Sequence, residues 1–275
     1  MKSAPSARFF VAVSNLARAG IVAVSMLQET KLTYPPLNTL KPVADDVWIV
    51  DGPVIRFNVG AGFHMPFSTR AAIIRMGHNL FVHSPTPLEA GLRAEIDRIG
   101  KPSWIVGPNR LHYWWIPDWH MAYRDAEVYV APRTAERARD RLSMTCRGLD
   151  RQSGYPWDHA IKTLPIAGSY MTEVVFFHVP SRTLVLTDLI ENFESDKVTS
   201  RFLRFLMWLG GVLDPDGSTP NDLRLTFKRN RPQVKAAVET MLDWNPERII
   251  LAHGRWYDRD GRAELQRAFR WILDG

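Results

Sequence analysis

Polar side chains that can bind a metal or carry a proton follow four short apolar runs in this chain. In chain order, the runs lead to His83, to Asn109 with His112, to Asp188 and to His253. Each run has the length and composition of a buried strand. Backbone pairing stops where strands end, so side chains of neighbouring strands can meet there in a cleft. The sequence therefore predicts one chemical site assembled from distant segments.

The composition indicates a globular protein with a sizeable core. Of its 275 residues, 45% are hydrophobic and 11% are aromatic, which is ample for burial. The formal net charge is +6, but residues 1–28 contain three basic residues and no acid, so half of the excess lies there. The remaining charge is typical of a solvated surface, so nucleic acid is not a favoured partner. The best polyanion contact is a basic patch formed by Arg224, Lys228, Arg229 and Arg231.

The first residues differ from the rest of the chain. Residues 9–27 are largely apolar and lack acids, which is typical of a presequence or of a helix on a membrane surface. Two consecutive prolines after Tyr34 then mark a boundary, because proline lacks the amide donor of a helix or central strand. We expect residues 1–36 to form an N-terminal extension, helical or partly disordered, and residues 37–275 to form one domain. Contact of residues 1–28 with a membrane surface remains open.

The cysteine content bears on the compartment. A lone cysteine, Cys146, excludes an internal disulfide and is typical of a reducing environment. We therefore expect a cytoplasmic protein, with membrane association or targeting through the N-terminal extension as the alternative. The sequence carries no readable signal for the oligomeric state.

Strand and helix patterns occur in two blocks. The first has short strands at 47–50, 54–59, 71–76 and 80–83, then a helix and strands at 104–106 and 128–131. The second has strands at 161–166, 173–179 and 183–188, helices at 197–209 and 233–244, a strand at 248–252 and a helix at 263–273. Two blocks of this kind predict an α+β fold in which two sheets pack together under helices.

Several ordered segments resemble a known family. They are residues 39–42 (TLKP), 47–52 (VWIVDG), 80–85 (LFVHSP), 107–112 (GPNRLH), 173–178 (EVVFFH), 180–184 (PSRTL) and 251–254 (LAHG). Together they resemble an uncharacterised domain family of the metallo-β-lactamase-like hydrolase superfamily, over residues 37–275. The resemblance implies an αββα four-layer sandwich, in which two mixed β-sheets are flanked by helices. It also implies a site at the edge where the strand ends meet.

The same resemblance implies a metal site whose ligand set is degenerate. Active members carry an H-x-H-x-D-H run, a later histidine, a bridging aspartate and a last histidine. These positions fall here on Asn109, Leu111, Tyr113 and Trp114, near Ser169, and on Asp188 and His253. Leucine and tryptophan cannot coordinate, so we expect at most one divalent metal. His112, one position from an expected ligand, would bind it with Asp188 and His253, a set that suits Zn²⁺ or Fe²⁺.

Other residues are assigned to the cleft around that metal. His83 stands where the superfamily has an aspartate near the metal, and we expect it to orient water or substrate in catalysis with Asp188. Packing of His83 into the core is the alternative. Large aromatic side chains favour an apolar pocket or a packed plug over a hydrated two-metal centre. The expected substrate-binding residues are Asn109, Tyr113, Trp114 and Trp115. Glu173 is expected to pair with an arginine.

These residues predict a hydrolase with one metal. The ion would lower the pKa of a water molecule toward neutrality, and the resulting hydroxide would attack an ester, a lactone or a similar carbonyl. The small-molecule ligand would have apolar character. One alternative is a metal-free binding or interaction protein without catalysis, in which His112 is buried and bonded to Asp188. A second alternative is nucleic-acid processing through the basic patch.

Overall fold

Two β-sheets packed face to face form the centre of the molecule. The computed structural model describes residues 31–60 and 63–274. In these ranges the backbone forms the strands β1 Lys41–Ala44, β2 Val47–Gly60, β3 Phe63–Met76, β4 Asn79–His83, β5 Lys101–Gly107, β6 Glu127–Val130, β7 Cys146–Gly148, β8 Ile161–Ala167, β9 Thr172–His178, β10 Thr183–Val185 and β11 Arg248–Ile250.

Both sheets mix parallel and antiparallel pairs. The first has seven strands in the order β1 to β7, antiparallel up to β4 and parallel from β4 onward. The second has four strands in the order β11-β10-β9-β8, and only the pair β10 and β11 is parallel. The carboxyl ends of the parallel strands therefore lie at defined sheet edges, where a site can form.

Helices cover the outer faces of the two sheets. They are α1 Ala90–Ile99, α2 Ile116–Ala122, α3 Thr134–Ala138, α4 Arg201–Gly210, α5 Asn221–Thr226, α6 Arg231–Asp243, α7 Gly261–Ala268 and α8 Arg270–Leu273, with short 3₁₀ segments at Arg139–Arg141 and Lys228–Asn230. Helix α6 buries Val234, Val238 and Met241, which recur at helical spacing on one face. Helix α1 buries Leu92 and Ile96 in the same way.

Three apolar layers result from this arrangement. Phe81, Trp157 and Phe176 belong to the layer between the sheets. Outside the first sheet, Ile73 packs with the buried face of α1; outside the second, Phe177 packs with that of α6. The predicted αββα sandwich with two mixed sheets is therefore confirmed.

Strands β2 and β3 are longer than the sequence pattern predicts. The Gly52-Pro53 pair reads as a break between two short strands, yet it lies inside β2 at a shift in the pairing register. A Cβ atom at Gly52 would lie 2.6 Å from Oγ1 of Thr69, and that hydroxyl donates a hydrogen bond to the carbonyl of Pro53. The glycine therefore permits close packing within one continuous strand.

The predicted N-terminal extension falls mostly outside the described residues, which begin at residue 31, so the domain division stays a prediction. Leu32 is buried in a cluster with Phe193, Val198 and the α4 residues Leu203 and Met207. Among the described residues, no helix combines the length and the apolar character needed to cross a bilayer.

Candidate metal centre and cavity

Three side chains from separate loops converge at the carboxyl ends of β5, β10 and β11. Nε2 of His112 lies 3.3 Å from Nε2 of His253. Oδ1 of Asp188 lies 3.4 Å from Nε2 of His112 and 3.1 Å from Nε2 of His253. Among the described residues these form a group of donor atoms able to hold one metal ion. The structure thus brings together the three residues that the sequence analysis assigned as ligands.

The triangle of donor atoms has the dimensions of a face of a metal coordination tetrahedron. Zinc bonds to histidine nitrogen and carboxylate oxygen are about 2.0–2.1 Å long, which puts the donor atoms of a tetrahedral site roughly 3.3 Å apart. The chemistry of the donors also fits, because two imidazoles and one carboxylate are a common catalytic zinc set. A fourth position facing the cavity would remain for water or substrate.

The outer nitrogens of both imidazoles have hydrogen-bond partners. Nδ1 of His253 lies 2.6 Å from the carbonyl oxygen of Ser68, which can only accept, so Nδ1 carries the proton and Nε2 presents its lone pair. Nδ1 of His112 lies 2.7 Å from Oγ of Ser84, which directly follows β4. Partners of this kind fix the ring orientation of metal-binding histidines.

Asn109 orients two of the three candidate ligands. Its Oδ1 accepts hydrogen bonds from the amides of Leu111 and His112 at 2.8 and 3.2 Å, an Asx turn that sets the start of the His112 loop. Its Nδ2 donates to Oδ2 of Asp188 at 2.7 Å. Asn109 is fully buried and does not line the cavity. The expectation that it binds substrate directly stays a prediction, and its observed contacts are instead with Asp188 and the start of the His112 loop.

Glu173 holds the loop that carries Asp188. Its carboxylate accepts hydrogen bonds from the backbone amides of Thr187, Asp188 and Leu189 at 2.8, 2.8 and 3.1 Å. The predicted pairing of Glu173 with an arginine is wrong. Backbone amides of the residues that follow β10, rather than a guanidinium, donate hydrogen bonds to its carboxylate. The only sequence signal was an acid next to the apolar run of strand β9, all of whose residues are buried.

The two buried carboxyl groups have opposite pKa shifts. Burial by itself raises the pKa of Asp188, but the imidazoles of His112 and His253 outweigh it and hold the pKa below its ordinary value. Burial, reinforced by the charge of Asp188, raises the pKa of Glu173 to about 7, against the opposing effect of its amide donors. Asp188 is therefore the group that stays ionised and can bind a cation.

The His253 loop is fixed by a buried arginine and a glycine. Nη1 of Arg70 donates to the carbonyls of Leu251 and Gly254 at 2.7 and 2.9 Å, while its Nη2 lies 2.7 Å from Oδ1 of Asp51. Gly254 has a φ of 79°, and a Cβ there would lie 2.1 Å from the carbonyl oxygen of Asn192. Only glycine fits this position.

His83 lies in the core rather than in the cleft. Its side chain is buried, with its ring centroid 5.5 Å from that of Phe176, and it does not line the cavity. Burial lowers the pKa of His83 to about 3, with a further contribution from His112. The structure therefore matches the alternative in which His83 packs into the core, and the expected role of His83 in catalysis stays a prediction.

A cavity of about 520 Å³ opens above the three candidate ligands, whose side chains form part of its wall. The rest of the wall is predominantly apolar and includes Ile55, Phe57, Met65, Phe67, Leu111, Leu206, Met207 and Leu223. Of the expected aromatic contacts, Trp114 and Trp115 line the cavity, while Tyr113 does not. Tyr113 is buried in the layer under α1 and stacks on Trp114 at 5.5 Å. The aromatic segment forms an open pocket rather than a plug.

Two acids in the cavity wall were missed by the sequence analysis. Glu191 and Asp222 both line the cavity. Burial, together with the charge of Asp188, raises the pKa of Glu191 well above its ordinary value. Burial also raises the pKa of Asp222. No spacing pattern pointed to either residue, because Glu191 comes from the loop after β10 and Asp222 from the start of α5.

Comparison with known proteins identifies the fold. No protein-family model matches the chain, and no curated protein matches it in sequence. Among solved structures, the metallo-β-lactamase DIM-1 is 13% identical with a TM-score of 0.56, and the match covers 86% of this chain and 95% of that one. The metallo-β-lactamase FIM-1 from Pseudomonas aeruginosa, in its mono-zinc form, is 14% identical with a TM-score of 0.53, covering 86% and 96%.

A third similar structure has a different activity in its name. Rubredoxin oxygen:oxidoreductase from Desulfovibrio gigas is 12% identical with a TM-score of 0.56, and the match covers 85% of this chain and 61% of that one. At these identities the similarity establishes the fold alone. The chain has the metallo-β-lactamase fold, with three converging donor atoms at the edge where its parallel strands end.

Proposed function

We propose that this protein is a metal-dependent hydrolase with a single ion, which cleaves an ester or lactone carrying an apolar group. The observation that carries the proposal is the convergence of two imidazole nitrogens and one carboxylate oxygen, 3.1–3.4 Å apart, in the wall of an apolar cavity. Apolar cavities with a few convergent polar groups are the usual form of small-molecule sites.

The chain's own residues divide the work of binding and orientation. His112 and His253 would hold Zn²⁺ or Fe²⁺ through Nε2, and Asp188 through Oδ1. When bound, such an ion supplies a Lewis acid that polarises a carbonyl and makes water more acidic. Asn109 keeps the second oxygen of Asp188 occupied, so the carboxylate presents Oδ1 to the cavity. The surrounding apolar side chains exclude bulk water and strengthen electrostatic interactions in the site.

Glu191 is suited to handle the proton of the leaving group. Burial and the charge of Asp188 raise its pKa, which favours the protonated carboxyl, and it lines the same cavity as the three candidate ligands. A protonated carboxyl can give its proton to the alkoxide that leaves when an ester is cleaved. One structure with this fold is described as a mono-zinc form, which supports a site with one ion.

The strongest competing function is a metal-free protein that binds an apolar small molecule. It is favoured by Leu111, Tyr113 and Trp114 at positions where the resembled superfamily has ligands. It is also favoured by the short contact between Asp188 and His253, which gives each group a partner without an ion. Nucleic-acid processing has less support, because Arg224 of the basic patch donates to the carbonyl of Thr219 and the hydroxyl of Ser218.

Metal analysis of untagged protein tests the proposal. We expect wild-type protein, produced with zinc and iron in the medium, to retain about one divalent ion per chain. His253→Ala leaves two ligands, so its metal content and its hydrolysis of p-nitrophenyl esters or lactones should fall to background. The matched control is His178→Ala, which removes a buried histidine at the opposite end of the second sheet. A metal-free wild type, or equal metal in His253→Ala, would refute the proposal.

A further inference from the structure

Exposed apolar side chains are concentrated around the cavity. The described residues include six large hydrophobic side chains with high exposure, and four of them lie on the segment 114–115 or on α4, which both border the cavity. These four are Trp114, Phe205, Trp208 and Leu209, with exposed fractions of 42%, 52%, 64% and 40%. We call them the rim. Clustered exposed apolar surface marks a site of interaction, whereas scattered single residues do not.

Helix α4 is both the wall of the cavity and the support of the rim. Its inner residues Leu206 and Met207 are buried and line the cavity. Phe205 and Trp208 face outward on the opposite side, and their rings stack at 5.9 Å. Leu209 is exposed and also lines the cavity. Helix α4 therefore carries apolar side chains both on its outer surface and in the wall of the cavity.

Basic side chains accompany the rim residues. Helix α4 contains Arg201 and Arg204 and no acid. Arg201 is exposed and, four residues before Phe205, lies on the same helix face. The guanidinium of Arg141 lies 4.7 Å from the ring of Trp114. Aromatic residues beside arginines are typical of helices that lie at the boundary between an anionic lipid surface and water.

The start of the described chain points to the same side of the molecule. Leu32 packs with Leu203 and Met207, on the buried side of α4. Residues 1–28, which precede it, contain Lys2, Arg8 and Arg18 without an acid and are rich in apolar residues. In the sequence, a second basic and apolar stretch thus precedes a residue that packs against α4.

We propose that the rim docks onto an anionic lipid bilayer and that the cavity accepts the acyl chain of a lipid ester drawn from it. A protein partner seated on the rim would cover the cavity entrance, whereas a bilayer would deliver an apolar substrate through it. The substrate class rests on the hydrolase function proposed above. In that reaction the acyl carbon–oxygen bond breaks, water gives a hydroxyl to the acyl carbon, and its other proton goes to the leaving alcohol.

Vesicle binding of the full chain tests the docking without requiring turnover. The probes are vesicles of phosphatidylcholine alone and of phosphatidylcholine mixed with phosphatidylglycerol, and bound protein is measured by flotation. We expect binding to the mixed vesicles, with a blue shift of tryptophan emission. Phe205→Ser/Trp208→Ser should weaken this binding by about tenfold or more, since two large apolar side chains are then no longer transferred from water into the bilayer. Arg201→Ser should weaken binding to the mixed vesicles only.

A matched control separates the rim from general surface hydrophobicity. Val179→Ser removes another exposed apolar side chain, 43% exposed, which follows β9 at the end of the sheet away from the cavity. It should bind vesicles like the wild type. Failure of the wild type to bind, or equal binding by the rim variant, would overturn the proposal. So would a rim variant whose only change is conversion of a dimer to a monomer in sedimentation velocity, because the rim would then join two copies.

The two proposals fail independently in this experiment. His253→Ala should bind vesicles as the wild type does, because the rim is separate from the candidate ligands. If wild-type protein binds vesicles but contains no metal, the hydrolase fails and the docking surface stands. If it contains metal and cleaves soluble esters but ignores vesicles, the lipid substrate fails and the hydrolase stands.

Discussion

The two ends of the sandwich each contain a cavity with histidines, yet only one has the features of a site. The cavity at the carboxyl ends of the parallel strands measures about 520 Å³, and the one at the opposite end about 660 Å³. The second is lined by His159, His178 and several acids and arginines. Its arginines are paired with acids: Arg75 lies 2.6 Å from Asp46, and Arg248 lies 2.9 Å from Glu247.

The difference shows that the number of titratable residues does not define a site. At the opposite end, each of the three arginines lies beside an acid on the surface, and Nδ1 of His178 is bonded to Ser181. At the candidate metal centre, atoms from three loops face one another, and buried groups behind them fix their directions. The distinguishing feature is a set of convergent donor atoms whose directions are fixed by hydrogen bonds to buried groups.

The largest expected contrast is between two arginines of strand β3. Arg70→Leu at the metal end leaves Asp51 buried with only Lys41 as its partner and frees the carbonyls of Leu251 and Gly254. We expect a loss of about 3–5 kcal/mol in the free energy of unfolding. Arg75→Leu breaks the exposed pair with Asp46 and should cost about 0–1 kcal/mol. Urea unfolding measures both, and equal losses would contradict the contrast.

A smaller contrast separates two asparagines. Asn109→Leu leaves Asp188 and two backbone amides without their buried partner. We expect a loss of about 1–3 kcal/mol in stability and a roughly 10–100-fold weaker affinity for zinc. Asn79→Leu removes an exposed asparagine that accepts from Ser103 and should change neither. Calorimetric zinc titration supplies the affinities, and unchanged zinc binding in Asn109→Leu would show that this amide does not position Asp188.

The smallest contrast concerns how stability depends on pH in metal-free protein. Burial raises the pKa of Glu191 well above the ordinary value of 4.5, so the folded state holds this proton more tightly than the unfolded state. Its contribution to stability is complete below pH 4.5 and is lost as pH rises toward the folded-state pKa. Glu191→Gln does not titrate, so its stability relative to wild type should increase with pH.

The matched variant for that measurement is Glu247→Gln, at the opposite end, where the side chain is 48% exposed and paired with Arg248. We expect the difference in the free energy of unfolding between this variant and the wild type to stay constant when urea unfolding is repeated from below pH 4.5 upward. If Glu191→Gln also runs parallel to the wild type, Glu191 is ionised in the folded protein and cannot serve as a proton donor at neutral pH.

The fold and the convergence of three donors could be read from the sequence, because strand ends carry a local signal. His112, Asp188 and His253 each follow an apolar run, and the sandwich places these run ends at one edge. The supports of the site carry no such signal. Glu173 reaches the amides of residues 187–189 only because β9 pairs with β10, a contact that the spacing of residues along the chain does not encode.

The sequence pattern also did not predict the direction in which side chains of the loops point. Tyr113 and Trp114 are neighbours of the same chemical type, yet the first turns into the core and the second faces the cavity. Asn109 follows a strand as the candidate ligands do, but its side chain is buried and contacts Asp188 and the backbone amides of Leu111 and His112. The direction of each side chain depends on loop geometry, which hydrophobic pattern alone does not determine.

The contact between Gly254 and Asn192 ties the loop of His253 to the segment that continues from Asp188. The two residues form a backbone bridge, and the carbonyl of Asn192 also accepts from the amide of Arg255 at 2.7 Å. Candidate ligands from two distant parts of the chain are thus held in one frame. An incoming ion would need no reordering of loops, so exchange of one divalent ion for another should be governed by how readily each ion sheds its hydration water.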